Sequence, residues 1–440
     1  MEKVLINPII ICKYDKSEAR NNLQKRGLRE GIDFIEADKL FTLLDINWHN
    51  SCAGKKIAFW GVGAECEYLE THSDIVADVY IDKNKTGERK GKPIINPVSI
   101  SNWSEHYIIV TSMKYYMEIK AELCDMGLKE YHDFVIYRKV LDEDKSPYHL
   151  AMKPSDMLRK TIYANKWSAP ICMRPFDYTE LVRGNVFCCC PAWVNVALGN
   201  MNMDSLNEIW HGYIAKIFRL SIINRSFSFC NPDECVHLKK YGKQDGNSVN
   251  CLQDYNHIST SPKTVMISID PRCNLKCPQC RDDFYNISEA EEGLLNLELS
   301  RIHESDWLSS ADMSVTGLGE AFFSPVYKEL LFDTSKKRQR IYITSNGLLF
   351  TEQYMQKLMT IYEDIHVSIS VDATTSETYK MIRGGNFEVL TRNLQNISKH
   401  RLKGNVKCFE LTFCTQRRNV REIPAFVEMA HQLCVDKVRF

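Results

Sequence analysis

From Thr264 to the last residue the chain repeats one pattern: a short apolar block, a polar turn, then a stretch with helical character. The blocks are TVMISID, ADMSVTG, RIYITSN, HVSISVD, KCFELTF and a last one at DKVRF. Alternation of strand and helix predicts a parallel α/β sheet with helices packed on it. Over 260–440 it predicts a partial (β/α)6 barrel of TIM type. The sixth block runs to Phe440 with no helix behind it, so the barrel reads as C-terminally incomplete.

The first third is patterned in the same way on a smaller scale. KKIAFWGVG, ADVYIDKN and YIIVTS read as strands and predict a small, doubly wound parallel sheet over 51–145, a Rossmann-like domain. Residues 1–50 hold part of a second copy. Leu23, Gly27, Leu28, Glu30, Asp33 and Phe34 recur 100 positions later as Leu123, Gly127, Leu128, Glu130, Asp133 and Phe134. Each copy follows an apolar strand and a polar helix that ends at its glycine, as helices commonly do. A complete strand, turn and helix precede the second copy only, so 1–50 reads as the tail of a repeat whose front is missing. Chance recurrence of a helix-end pattern is the alternative. Residues 141–170 are polar and rich in turn formers, which marks a boundary. Beyond it, 165–255 has little periodicity apart from a helix near 204–222, and predicts a small irregular domain. The N-terminal VLINPIIIC is broken by Asn7 and Pro8 and reads as a strand, not a signal peptide.

Composition alters this picture at one point. The 440 residues carry 56 Lys and Arg against 56 Asp and Glu, which excludes the bulk basicity of a nucleic-acid binder. No apolar run approaches the ~20 residues that cross a bilayer. Neither a nucleic acid nor a membrane is therefore expected as a partner. Cysteine is the exception. An odd total of 17 leaves a spare thiol in any all-disulfide scheme, and the cysteines cluster between 172 and 251 and again between 273 and 280. Short spacings of this kind point to metal or iron–sulfur ligation in a reducing compartment.

The sharpest motif is ISIDPRCNLKCPQCR, which places Cys273, Cys277 and Cys280 in CxxxCxxC spacing directly after a strand. Three thiolates on one short loop can hold three irons of a four-iron cubane and leave the fourth open, whereas electron-transfer clusters close every position with four. A structural zinc knuckle completed by Cys251 or His257 is the alternative. Cys408, Cys414 and Cys434 lie in apolar strands or a helix and read as small core residues.

At these residues the sequence resembles the radical SAM superfamily, and the resemblance covers about 264–440. It implies that S-adenosylmethionine chelates the open iron of a [4Fe–4S] cluster and is cleaved by one electron. The resulting 5′-deoxyadenosyl radical then abstracts hydrogen from a substrate C–H bond. It also implies cofactor contacts. Gly319 and Glu320 stand in Gly317-Leu318-Gly319-Glu320, where the family has a GGE motif lining the methionyl amino group, although Leu318 departs from it. Ser370 and Asp372 fall where relatives contact the ribose, and Gln416 and Asn419 where polar side chains reach the cofactor. All follow barrel strands, where parallel barrels place their chemistry. The alternative is that these four polar residues cap helices or turns. No further catalytic side chain stands out.

Residues 172–235 resemble the SPASM module, an auxiliary iron–sulfur domain of many radical SAM enzymes, here placed before the barrel instead of after it. The resemblance implies one auxiliary [4Fe–4S] cluster on Cys172, one of Cys189 and Cys190, Cys230 and Cys235. Gly184 would turn a hairpin beside it and Trp210 would pack the following helix. A zinc site on the same thiolates is the alternative. In the N-terminal sheet, Gly61-Val62-Gly63-Ala64-Glu65-Cys66 opens a helix and Asp82 ends the next strand, two-thirds of a dinucleotide fingerprint. It resembles small Rossmann-like modules on enzymes of surface-polysaccharide and nucleotide-sugar metabolism; an empty docking module is the alternative. If a ligand binds, its phosphate is expected on the helix N-terminus and its ribose on Asp82.

The leading expectation is a radical SAM enzyme acting on a peptide or carbohydrate, supplied with electrons by a donor such as flavodoxin or ferredoxin. Oxygen-sensitive clusters imply the cytoplasm. The competing readings are a non-catalytic metal-binding scaffold and a nicotinamide-dependent oxidoreductase.

Overall fold

The computed structural model describes residues 9–11, 16–27, 34–36, 51–112, 114–130, 132–140, 154–164, 167, 169–194, 196–241, 260–315, 317–335 and 338–440. Cys251 and His257, the alternative zinc ligands, lie outside them. The chain divides into two compact units. One comprises 1–172, 192–196 and 211–252, and the other 173–191, 197–210 and 253–440.

Strands of the first unit are β1 (Ile9–Ile11), β2 (Phe34–Glu36), β3 (Lys56–Trp60), β4 (Val79–Ile81), β5 (Gly87–Arg89), β6 (Lys92–Ile95), β7 (His106–Val110) and β8 (Phe134–Ile136). A six-stranded sheet runs β5-β6-β4-β3-β7-β8, parallel throughout except for the β5–β6 hairpin. Ala58, Phe59, Ile81, Ile108 and Ile109 are wholly buried, as the apolar blocks require. The hairpin is short and charged, so its sequence carries no strand pattern. The two segments offset by 100 residues fold alike. Helices Lys16–Lys25 and Tyr116–Asp125 are followed by Gly27 and Gly127 at φ +78° and +84°, and β2 and β8 pair in parallel with β1 and β7.

The second unit adds β9 (Tyr178–Val182), β10 (Asn185–Phe187), β11 (Gly199–Asn200), β12 (Thr264–Ser268), β13 (Asp312–Val315), β14 (Arg338–Ser345), β15 (Tyr362–Ser370), β16 (Val406–Thr412) and β17 (Lys437–Arg439). β12 to β17 lie side by side in chain order, all parallel, as the barrel pattern predicts. The sheet does not stop at β12. Its other edge pairs in parallel with β9, and β10 and β11 extend it antiparallel. Residues from the cysteine-rich stretch thus fold with the barrel: TELV offers a strand edge that covers the backbone groups of β12. Val265, Ile267, Met313, Val315, Ile341, Ile343, Ile365, Val367, Phe409 and Leu411 bury one face of the sheet. The alternate positions, among them Ser314, Tyr342, His366 and Ser368, form a polar face.

The helices start where their caps put them. Ser288 and Glu291 form a reciprocal capping box at Glu289–Glu304, and Ser324, Thr351, Thr375 and Asn386 cap the helices that follow β13, β14 and β15. Among the described residues no helix is long and apolar enough to cross a membrane.

Gly184 turns the β9–β10 hairpin at φ +80°, a conformation disfavoured for a residue with a Cβ. A Cβ there would also stand 2.4 Å from Asn202 Nδ2 and 3.1 Å from Glu298 Oε1. Trp210 is fully buried and meets Trp307 edge-on at 5.8 Å, and Trp307 Nε1 donates to Asn207 Oδ1 at 2.7 Å. Glu298, on the helix after the cysteine loop, accepts from Asn202 Nδ2 at 3.2 Å while its Oε2 is buried without a partner. Burial pushes its carboxyl up to about 8. An acid whose pKa is raised on folding stabilises most below its unfolded pKa, near 4.5, and loses that stability as pH rises toward 8. By neutral pH the loss is roughly 3 kcal/mol. Glu298→Gln keeps the Asn202 contact and removes the charge. Urea unfolding from pH 5 to 8.5 is expected to show a stability decline in the parent that is absent in the variant.

Candidate metal centre

The cysteine loop leaves the end of β12 and is fixed before its first cysteine. Asp270 is fully buried. Its carboxylate accepts from Arg272 N at 2.9 Å, Arg272 Nε at 2.8 Å and Ser324 Oγ at 2.5 Å. Arg272 also pairs with Glu292 at 2.9 Å. The next turn packs directly against this segment. Glu320 N donates to Arg272 O at 2.9 Å, and Gly319 holds φ +73° with its α-carbon so close that a Cβ would stand 2.3 Å from Asp270 O. Gly317 is similarly tight, with a Cβ position 2.6 Å from Ser268 Oγ. Gly319 is therefore required by backbone contact whatever is bound, and Gly317 sits against the Ser268 side chain.

Each of the three sulfurs faces its own nitrogen donors. Cys273 Sγ accepts from Leu275 N at 3.4 Å and Asn346 Nδ2 at 3.9 Å. Cys277 Sγ lies 4.0 Å from Arg383 Nη1, and Cys280 Sγ lies 3.8 Å from Arg281 Nη2. Cys277 is buried and Cys280 exposed. Burial pushes the Cys273 and Cys277 thiols up, against the pull of those donors and cations. Among the described residues no three His, Cys, Asp or Glu side chains converge closely enough to hold one metal ion. The donor set suits thiolates bound to iron: N–H groups and two guanidinium cations stabilise sulfur that carries negative charge.

The residues expected around the cofactor divide into two sets. Glu320 is buried, and its carboxylate accepts from Ser345 Oγ at 2.6 Å, Asn346 N at 2.7 Å and Phe322 N at 3.3 Å. Burial pushes this carboxyl up while those bonds and the Arg383 charge oppose the shift. Asp372 Oδ1 accepts from Cys414 N at 2.7 Å, and Oδ2 pairs with Arg383 at 2.7 Å. Asn419, wholly buried, ties its loop: Nδ2 donates to Asp372 O and Cys414 O, each at 2.9 Å, and Oδ1 accepts from Gln416 N at 2.6 Å.

Ser370 is half-buried and accepts from Thr412 Oγ1 at 3.2 Å. Gln416 Nε2 is buried with no partner, as is the Tyr379 hydroxyl. These two groups lie in the segments that follow β16 and β15. Asp270, Arg281, Asn346, Tyr379 and Arg383 are site residues that motif reading missed. Asp270 and Arg281 flank the cysteine loop in sequence, Asn346 ends the block RIYITSN, and Arg383 precedes a Gly-Gly pair.

Of the other expected ligands, Cys172, Cys230 and Cys235 belong to the first unit and Cys189 and Cys190 to the second. Cys230 and Cys235 bracket one turn, closed by Cys235 N donating to Asn231 O at 2.8 Å and Asn231 N to Trp193 O at 2.7 Å. In the N-terminal sheet the glycine turn closes on its own strand end. Asp82 accepts from Val62 N at 3.1 Å and from Asn84 and Lys85 N, while Lys85 Nζ reaches Val62 O at 2.6 Å. The Asp82 carboxylate expected at a ribose is thus engaged by the turn, and Cys66 is buried with its thiol pushed up to about 11.

A model of the radical SAM superfamily matches residues 267–430, a model of an iron–sulfur cluster-binding domain (SPASM) matches 172–236, and one described as C2185-like, N-terminal, matches 53–134. The antilisterial bacteriocin subtilosin biosynthesis protein AlbA of Bacillus subtilis is 28% identical over 150 residues, 32% of this chain and 31% of that protein. The Fe-coproporphyrin III synthase of Methanosarcina barkeri is 26% identical over 227 residues, 50% and 53% of the two chains. The chain thus spans about half or less of these relatives' lengths. Among solved structures, Streptococcus suis SuiB bound to S-adenosylmethionine aligns at 16% identity over 40% of each chain with a TM-score of 0.30.

Gly319→Ala is expected to place a methyl group against the Asp270 carbonyl in a strained backbone conformation. A loss of roughly 2 kcal/mol or more is expected in thermal unfolding, with less iron bound per chain after anaerobic loading.

Proposed function

We propose that this chain, which carries a radical SAM domain and an iron–sulfur cluster-binding domain, is an enzyme that abstracts hydrogen from a substrate C–H bond. The observation that carries the proposal is the cysteine trio itself, with each sulfur faced by nitrogen donors on a loop braced through Asp270 and Gly319. When bound, a [4Fe–4S] cluster and S-adenosylmethionine supply one electron and a 5′-deoxyadenosyl radical.

This chain's residues hold, orient and shield. Cys273, Cys277 and Cys280 are the proposed cluster ligands. Asn346, Arg281 and Arg383 donate toward their sulfurs. The backbone of Gly319, the Ser370 hydroxyl and Gln416 are proposed to offer polar contacts for the cofactor's own polar ends. Asp372, Asn419 and the Glu320 side chain keep the surrounding loops in place. The domain over 172–236 adds an auxiliary cluster, with Cys230 and Cys235 proposed among its ligands. A relative named for bacteriocin biosynthesis supports a peptide substrate over a carbohydrate.

Protein reconstituted anaerobically with iron and sulfide and reduced in the presence of S-adenosylmethionine is expected to form 5′-deoxyadenosine and methionine. Alanine at Cys273, Cys277 or Cys280 is expected to reduce both to background, as read by chromatography. An iron-loaded parent that forms neither product overturns the proposal. Replacing Cys230 and Cys235 by alanine is expected to remove about four of about eight irons per chain while leaving a cluster at the trio.

A further inference from the structure

The helix Ser376–Arg383 ends against the cysteine loop, and its last residue carries the one guanidinium directed at Cys277 among the described residues. Arg383 Nε and Nη2 fork onto Asp372 Oδ2 at 2.8 and 2.7 Å, leaving Nη1 toward Cys277 Sγ at 4.0 Å. The Arg383 side chain is 14% exposed and that of Asp372 1%, so the pair is largely shielded from water. Asp372 is held at φ +62°, a left-handed conformation uncommon for a residue with a Cβ. Its carbonyl is tied to Asn419 and its Oδ1 to Cys414 N, so the loop after β16 holds on two sides the residue whose carboxylate aims the guanidinium.

We propose that Arg383 is a positioning residue that sets the reduction potential of the cluster at Cys273, Cys277 and Cys280, and that Asp372 limits the positive charge it delivers. The inference rests on the trio holding a cluster, as proposed above. Reduction adds one negative charge to a four-iron cluster. A cation and an N–H donor beside a ligand sulfur favour the reduced form and raise the potential. The low dielectric of a buried site strengthens this effect. Arginine suits the task because its guanidinium stays charged at all working pH values and can grip a carboxylate with one edge while another N–H points elsewhere. Cys277 Sγ also lies 3.7 Å from Arg383 O, a contact in which the thiol donates. A thiolate can only accept, which leaves Nη1 as the donor on that side.

A purely structural ion pair would make the same contacts, so the test uses two substitutions with opposite charge effects. Arg383→Gln removes the cation, and Asp372→Asn removes the anion while keeping an oxygen for Cys414 N and tolerating the left-handed backbone. The full chain is loaded anaerobically with iron and sulfide and titrated with redox mediators. The paramagnetic signal of the reduced cluster is followed, and the trio's cluster is identified as the one whose signal responds to S-adenosylmethionine. At a fixed ambient potential, Arg383→Gln is expected to lower the ratio of reduced to oxidised cluster by about tenfold, about 59 mV for one electron. Arg383→Lys is expected to recover most of that loss, and Asp372→Asn to shift the ratio the other way. Parent-like potentials in both charge variants, or shifts of the same sign in both, overturn the inference. Where Arg383→Gln takes up no iron, Arg383→Lys and Asp372→Asn decide: an Asp372→Asn potential at or below that of the parent overturns it. A parent that loads iron yet gives no signal responsive to S-adenosylmethionine overturns the functional proposal instead.

Discussion

The buried carboxylate of Asp270 is the constraint on which the rest of the site depends. It sits where β12 ends, and it gathers the backbone and side chain of Arg272, the Ser324 hydroxyl, and through its own N–H the Tyr327 hydroxyl at 2.9 Å. Tyr327 passes the connection on by donating to Leu318 O at 2.9 Å, inside the GLGE turn. Two successive strand ends are thus joined through one anion. A carboxylate left alone in such a place would cost several kcal/mol, so the full set of partners is a condition of folding. The same set holds the chain just before Cys273, whose sulfur faces Asn346 Nδ2 at 3.9 Å. Rigidity at the loop base is bought with polar groups, because an apolar base could not specify the direction in which three thiols point.

The cysteine loop, the barrel strands and the glycine turn were legible because each has a local cause. Thiols at CxxxCxxC spacing need no tertiary context to be noticed, and apolar blocks with period two announce buried parallel strands. Gly319 was legible as part of a motif, yet its physical reason, a carbonyl where a Cβ would go, is a contact between loops after β12 and β13. The same distinction explains what sequence missed. Arg383 stands more than a hundred positions from Cys277, at the end of an amphipathic helix like many others. Asn346 looks like an ordinary turn former. Their partners are brought by the parallel crossover topology, and no spacing rule encodes it.

Asp372 and Asn419 show that a motif position can also knit the loops around it. Polar residues just beyond parallel strands can face a ligand or knit the loops that surround it, and the residue type is the same for both jobs. Here Asn419 Nδ2 donates to one carbonyl in each of the loops after β15 and β16, and its Oδ1 accepts from Gln416 N. Asp82 in the N-terminal sheet repeats the lesson: its carboxylate accepts from Val62 N within the glycine turn. The β9 strand was hidden for another reason. Five residues of mixed character between cysteines carry too little period to stand out, and their pairing with β12 is decided by the open edge they cover.

The polar face of the sheet adds a condition suited to radical chemistry. Across it, Glu180, Met266, Ser314, Tyr342, His366 and Cys408 stand opposite one another on six neighbouring strands. Burial pushes the Glu180 carboxyl up and the His366 imidazole down, so both are driven toward their neutral forms. Arg340 is met by Asp312 and Asp364 at 3.0 and 3.1 Å, and Glu410 by Arg439 at 2.9 Å. The ionic side chains Arg340 and Glu410 on this face thus each meet a partner of opposite charge. Hydrogen-atom transfer moves no net charge, so it gains nothing from a strong field at the reacting carbon and suffers from water drawn in by unpaired ions. Under the function proposed above, a face that keeps hydrogen-bonding groups and pairs its charges suits orienting a substrate while leaving a radical step undisturbed.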